Sequence, residues 1–179
     1  MAISMNLFDN IDHLQNGTLR QQQAYRVLTA NAVIAKLQAF TPILAGTIPL
    51  NIDIEGSDLD VLCYWEDEAD FINILTERFK DDNGFTLQQV IVNNQKTVLA
   101  NFWCDGFEVE VFGQNIPVKE QMGYLHMVAE HKILTHFGED FRQQIMALKK
   151  AGYKTEPAFA KLLNLQGDPY TAILEYKIH

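Results

Sequence analysis

The segment Asp58-Leu59-Asp60-Val61 places two carboxylates two residues apart within an apolar stretch. On an extended chain alternate side chains share a face, so Asp58 and Asp60 project together while Leu59 and Val61 enter the interior. Two like charges on one face repel each other, and a divalent cation between them removes the repulsion. Hard oxygen ligands suit magnesium or manganese. The segment Phe107-Glu108-Val109-Glu110-Val111-Phe112 repeats the alternation and supplies a third acid, Glu110, with Glu108 as the alternative. Three carboxylates from aligned strands can hold two metal ions in the arrangement used for in-line phosphoryl and nucleotidyl transfer. Alternating acids are also the ordinary solvated face of a half-exposed strand, and on these residues alone both readings stand.

Such acids need strands beneath them and helices around them. Thr18 with Gln21 three residues on is a capping-box start, and Val27, Ala30, Ile34 and Leu37 follow at helical spacing, so a first helix is expected over residues 19–40, ended by Thr41-Pro42. Ile43-Leu44-Ala45 reads as a short buried strand closed by Gly46-Thr47, and a loop carrying Pro49, Asn51 and Gly56 leads to a second strand over residues 59–64. Ile72, Leu75 and Phe79 mark a helix over residues 67–80. Residues 84–92, 97–103 and 107–112 read as an antiparallel meander, turned at Asn93-Asn94-Gln95 and Asp105-Gly106. Pro117 opens a long helix with Gly138 near its end, and shorter helices follow over residues 139–151, 157–163 and 169–176.

The expected fold is therefore α/β (α+β): a mixed, largely antiparallel sheet of about five strands with a C-terminal helical portion. One domain over residues 1–179 is expected, with a sheet-containing core at 1–116 and the helical portion at 117–179. A cleft between the two would have Gly46, Thr47, Asp58, Asp60 and Glu110 as its floor.

At 179 residues with 47% apolar content the chain can bury a sizeable core. It has no apolar run near the ~20 residues needed to span a bilayer. Its opening residues, MAISMNLFDNIDH, lack the basic start and apolar stretch of a signal peptide, so a cytoplasmic protein without a membrane is expected. Cys63 and Cys104 lie in apolar segments and read as buried, reduced thiols. The formal charge of -9 argues against a long nucleic acid as partner, because such binding comes from clustered Lys and Arg. The densest basic stretch is Arg142, Lys149, Lys150 and Lys154.

Other chemistries fall away. His126, His131 and His136 are five apart, which turns a helix by about 140° per step and scatters them over its surface. His126 and Glu130, four apart, read as an ordinary helical pair or as a proton carrier beside a carboxylate, and Tyr124 and Gln121 as core or as contacts to a base. No Lys-Ser/Thr phosphate loop, dinucleotide fingerprint or nucleophile elbow occurs.

The succession Ala45-Gly46-Thr47, the ten residues from Ile48 to Ser57, and Asp58-Leu59-Asp60-Val61 resembles the signature of the polymerase-β-like nucleotidyltransferases. The stretches EVFGQ, QMGYLHMVAEHKIL and GYKTEPAFA are also similar to an uncharacterised bacterial family of nucleotidyltransferase-like proteins. The resemblance implies that Gly46, Thr47 and Ser57 meet the triphosphate of an NTP and that Asp58, Asp60 and Glu110 hold Mg2+ or Mn2+. It implies transfer of a nucleoside monophosphate to a hydroxyl of an acceptor that the sequence does not name. One departure stands out: residues 48–57 contain Asp53 and Glu55 and no Lys or Arg, where many relatives set an arginine against phosphate. Lys132, Arg142, Lys149 and Lys154 are candidate compensating cations, although each also reads as a surface charge. A catalytically inactive binding or regulatory module is the alternative.

Overall fold

The computed structural model describes residues 7–178. Residues 1–6, part of the opening expected to lack a signal peptide, and His179 lie outside it. Thr18 caps α1 (Leu19–Ala30) through the expected capping box: Gln21 N–H donates to the Thr18 hydroxyl, and Thr18 N–H donates to Gln21 Oε1 at 2.9 Å. The helix does not continue to residue 40. Asn31 ends it, Ala32 adopts a left-handed conformation at φ 52°, and a short α2 (Val33–Lys36) and a 3-10 turn (Gln38–Phe40) follow. Alanine is a strong helix former, but the break re-aims the chain so that Val33, Leu37 and Phe40 join Val27 and Leu28 in one core cluster. Burying three large side chains outweighs the roughly 1–2 kcal/mol of one left-handed residue.

Five strands follow, β1 (Ile43–Ala45), β2 (Leu59–Tyr64), β3 (Asn83–Val92), β4 (Gln95–Cys104) and β5 (Phe107–Gln114), with α3 (Glu68–Phe79) between β2 and β3. They form one sheet in the order β1-β2-β5-β4-β3, antiparallel throughout except for the parallel pair β2–β5. The meander is as expected, with strands one to three residues longer than their apolar patterns. Its hairpins turn on Asn93-Asn94 and Asp105-Gly106, all four at positive φ, as two-residue turns require.

Alternation gives the sheet two different faces. Leu59, Val61, Cys63, Ala100, Phe102, Val109 and Val111 face α1–α3. Gly113 permits the close approach of α3, since a Cβ there would stand 2.1 Å from Phe71 Cε1. Ile43, Ala45 and Leu62 belong to a second core with the C-terminal helices α4 (Met122–Lys150), α5 (Thr155–Leu162) and α6 (Pro169–Glu175). A 3-10 turn, Val118–Glu120, stands where the long helix was expected to open at Pro117, and Gly138 at φ 78° breaks α4 internally. Cys63 and Cys104 are buried free thiols. No helix among the described residues is long and apolar enough to cross a membrane.

Candidate active site

The parallel register sets Asp60 on β2 directly opposite Glu110 on β5, with Ala45 and Asn101 continuing the row on either side. Directly opposed residues share a face, so the two carboxylates meet on the side of the sheet that faces the C-terminal helices. Burial first, then the charges of Asp58 and Glu110, push the Asp60 carboxyl up to about 7, against an opposing pull from Lys149. Burial also raises Glu110, while a hydrogen bond from Asn101 holds it down. The Asn101 amide lies 3.4 Å from both Glu108 Oε1 and Glu110 Oε2, so it bridges the two glutamates.

Gly46 sits at φ 78°, and a Cβ there would lie 2.1 Å from Asp60 Oδ2. Both facts demand glycine: the backbone bends in the left-handed region, and a carboxylate fills the place of a side chain. The Thr47 hydroxyl lies 3.5 Å from Ser57 Oγ, which accepts a hydrogen bond from Ile54 N–H at 3.0 Å. The two ends of the loop over residues 48–57 are thereby joined, and Gly46, Thr47 and Ser57 gather beside the acids.

The loop itself is held by side chains from α1 and α4, an arrangement that local sequence pattern does not encode. Gln21 donates to the carbonyls of Ile48 at 2.8 Å and Pro49 at 3.2 Å. Arg142 donates to those of Leu50 and Asn51, and Lys149 Nζ to that of Ile52 at 2.7 Å. Five successive carbonyls are thus engaged by three side chains. Arg142 and Lys149 are therefore not plain surface charges: Lys149 donates to the loop backbone, and Arg142 divides its donors between that backbone and the carboxylate of Glu139. Lys149 is buried, and desolvation lowers its pKa despite the pull of Glu130, Asp53, Glu156 and Asp58. A signal for it was present: Phe141, Ile145 and Lys149 fall at i, i+4 and i+8 and form one buried stripe.

All-oxygen, mutually repelling donors fit a hard divalent cation in type. In spacing, no group of three or more His, Cys, Asp or Glu among the described residues is gathered closely enough to hold a metal ion. The donor chemistry is present, but as placed these carboxylates do not close on one ion.

A cavity of about 650 Å³ opens over the acids, between the sheet and the C-terminal helices. Gly46, Thr47, Asp60 and Glu110 line one side, and Gln121, His126, Glu130, Glu156 and Tyr170 the other; Ser57 and Asp58 stand outside its lining. His126 and Glu130 are not the helical pair expected. His126 Nε2 donates to the Tyr170 carbonyl at 2.9 Å, and Nδ1 stands 4.0 Å from Glu156 Oε1. A second cavity of about 640 Å³ lies against α2 and Pro42, away from these groups.

This open, mixed five-stranded sheet with helices on both faces is a nucleotidyltransferase-like fold. It is similar to the polymerase core of TRAMP, an RNA surveillance complex, at TM-score 0.54 and 11% identity over 88% of this chain and 49% of that one. It is similar to a chain of the GLD-2/RNP-8 complex at TM-score 0.53 and 10% identity, over 85% and 57% of the two chains. The Cid1 poly(U) polymerase bound to MgGTP gives TM-score 0.51 and 8% identity, over 77% and 42%. The chain spans about half the length of these proteins, and identities this low show the fold alone. The chain belongs to the DUF4269 family, a domain of unknown function, whose model matches residues 15–176. No curated protein matches it in sequence.

Proposed function

We propose that the protein is a metal-dependent nucleotidyltransferase that moves a nucleoside monophosphate from an NTP to a hydroxyl of an acceptor. The observation that carries this reading is the direct opposition of Asp60 and Glu110 across a parallel strand pair, beside a glycine whose Cα hydrogen side is filled by the Asp60 carboxylate. Asp58, Asp60 and Glu110 are the residues to hold Mg2+ or Mn2+, which when bound neutralises triphosphate charge. Thr47 and the neighbouring backbone N–H groups hold the phosphates, and Ser57 fixes the Thr47 hydroxyl. The acceptor oxygen bonds to the α-phosphorus as the bond from that phosphorus to the β-phosphate oxygen breaks. Pyrophosphate leaves with the bonding pair, and the acceptor's proton passes to the Glu110 carboxylate.

The same reading takes the protein as cytoplasmic and residues 1–179 as one domain, the latter supported by two sets of helices sharing one sheet. It leaves the acceptor class open. The net charge of -9 weighed against a long nucleic acid, but relatives in fold described as a poly(U) polymerase and part of an RNA surveillance complex lend that expectation no support.

A second reading, a non-catalytic binding module, is favoured by one observation. The loop over residues 48–57 is acidic, and two of the cations beside it, Arg142 and Lys149, are spent on its carbonyls. Calorimetric titration with non-hydrolysable NTP analogues, with magnesium and with EDTA, separates the two when repeated on an Asp58→Asn, Asp60→Asn variant. Metal-dependent binding lost in the variant is expected. No binding of any of the four nucleotides sinks the transferase reading.

A further inference from the structure

β3 is a free edge of the sheet: β4 flanks it on one side, and among the described residues no strand flanks it on the other. Its hairpin to β4 turns on Asn93-Asn94, both at positive φ, with Val92 opposite Gln95. A two-residue turn of that kind is closed by a hydrogen-bonded pair, and along an antiparallel ladder such pairs alternate with unbonded ones. Val92, Val90, Gln88 and Thr86 therefore spend their N–H and C=O groups on β4. Leu87, Gln89 and Ile91 turn theirs to the open side, where no other group among the described residues takes them up.

Proteins ordinarily blunt such an edge with Lys, Pro, a bulge or a covering element, because unpaired backbone groups recruit another strand. Here the sequence supplies none of those residues. Residues 83–95 contain no Asp, Glu, Lys, Arg or Pro, in a chain whose charged content is 21%. The ladder keeps one register from Thr86 to Val92, its irregularity lying between Asn83 and Thr86. Ile91 stands 67% exposed on this strand. In a molecule of formal charge -9, an uncharged edge is where a second, equally acidic copy approaches against the least repulsion.

We propose that two copies of this chain pair through β3 about a two-fold axis at Gln89, joining their five-stranded sheets into one. The outward residues are Leu87, Gln89 and Ile91, so an antiparallel register centred on Gln89 engages all three from both copies. Gln89 then faces Gln89, and Leu87 faces Ile91 on either side of the axis, each opposed pair exchanging two hydrogen bonds. Directly opposed residues share a face, so each exposed Ile91 packs on the second copy's Leu87. Glu68, which accepts from Gln89 Nε2 at 3.0 Å, is answered by its own Lys96 at 3.6 Å and brings no bare charge to the axis. A foreign strand satisfies the backbone equally; the Leu87–Ile91 match is what the chain supplies to itself. On the other face the same register sets the second copy's Thr86 against Val92, which lines the cavity over the acids, so the pairing reaches the rim of the candidate site. The pairing does not rest on the transferase reading.

The test is sedimentation of the full chain, joined to oxidative cross-linking of single cysteine variants. A strand-edge contact is small, so the wild type is expected to be a dimer at about 100 µM and to dissociate on dilution toward about 1 µM. Ile91→Lys changes a side chain that is already exposed, so it is expected to melt as the wild type does and to dimerise roughly tenfold more weakly or less. Gln89→Pro removes a donor that β4 does not use and is expected to be a monomer. Cα atoms of a hydrogen-bonded pair stand about 5.5 Å apart, within reach of a disulfide. Gln89→Cys is therefore expected to form a covalent dimer on oxidation and Gln88→Cys not to, with Cys63 and Cys104 buried in both. If Gln89→Pro does not fold, Ile91→Lys decides in its place. A wild type that is monomeric at about 100 µM overturns the proposal and leaves the edge to a strand of another protein. So does a dimer that Ile91→Lys leaves unweakened, which puts the interface elsewhere, or cross-linking of Gln88→Cys as fast as that of Gln89→Cys, which denies the register.

Discussion

Gly46 and Asp60 occupy one volume from opposite sides, so a change at either is felt at both. Replacing Gly46 by Ala forces a side chain into a left-handed backbone at φ 78° and against a carboxylate oxygen 2.1 Å away. The expected cost is roughly 1–3 kcal/mol in urea denaturation, because both strain and displacement act. Wild-type stability in that variant would mean the turn is not held as described. Asp60 also gives the molecule a pH dependence with a definite sign. Its carboxyl sits at about 7 in the fold, whereas an unfolded aspartate titrates near ~3.9. Between those values the folded protein keeps a proton that the unfolded chain has released, so stability falls as pH rises through that window and levels off above it. Asp60→Asn removes the fall. Wild type and variant are expected to match near pH 4 and to diverge by pH 8, with the variant ahead by about 2 kcal/mol after solvent screening. A constant gap between them across urea titrations at the two pH values sinks the argument.

At the scale of elements, the loop over residues 48–57 matters as much as the strands, because it connects the two halves of the site. Its backbone is pinned from α1 by Gln21 and from α4 by Arg142 and Lys149. Lys149→Met is expected to cost roughly 1–3 kcal/mol by leaving the Ile52 carbonyl unpaired, and to quicken amide hydrogen exchange across residues 50–57 more than elsewhere. Uniform exchange along the chain would show that the clamp contributes nothing local. The strands β1 and β2 and the alternation of Glu108 and Glu110 were legible in the sequence because period-2 patterning is local. The pairing that puts Asp60 against Glu110 was not: it joins strands far apart in the chain, and no local pattern encodes which edge a strand will take. The break at Ala32 was hidden for a related reason, since alanine favours helix and only the burial of Val33, Leu37 and Phe40 overrides it. Polar residues fared worst. Gln21 read as a cap, Gln121 as core or a contact to a base, and Arg142 and Lys149 as surface charges or phosphate partners. Their work on distant carbonyls exists only once the chain is folded.

For the whole molecule the question is whether a cation adds to stability through one site or through general screening. A chain of formal charge -9 repels itself, so any salt relieves it somewhat, and magnesium more than sodium. A site adds a different quantity: a ligand that binds only the folded state stabilises it by RT ln(1 + [L]/Kd), about 2.7 kcal/mol at one hundred times Kd. That gain requires Asp58 and Asp60, whereas screening needs only the net charge. Thermal melts in magnesium, against sodium chloride of equal ionic strength, are therefore expected to show an excess rise in Tm for the wild type. The excess should vanish in the Asp58→Asn, Asp60→Asn variant, although that variant starts from a higher melting temperature in EDTA because its like charges are gone. The acids are not gathered on one ion as they stand, so the excess also measures whether a cation can draw them together. If both proteins gain equally from magnesium, the three carboxylates hold no ion and the second reading, a binding module without metal, is the one the molecule supports.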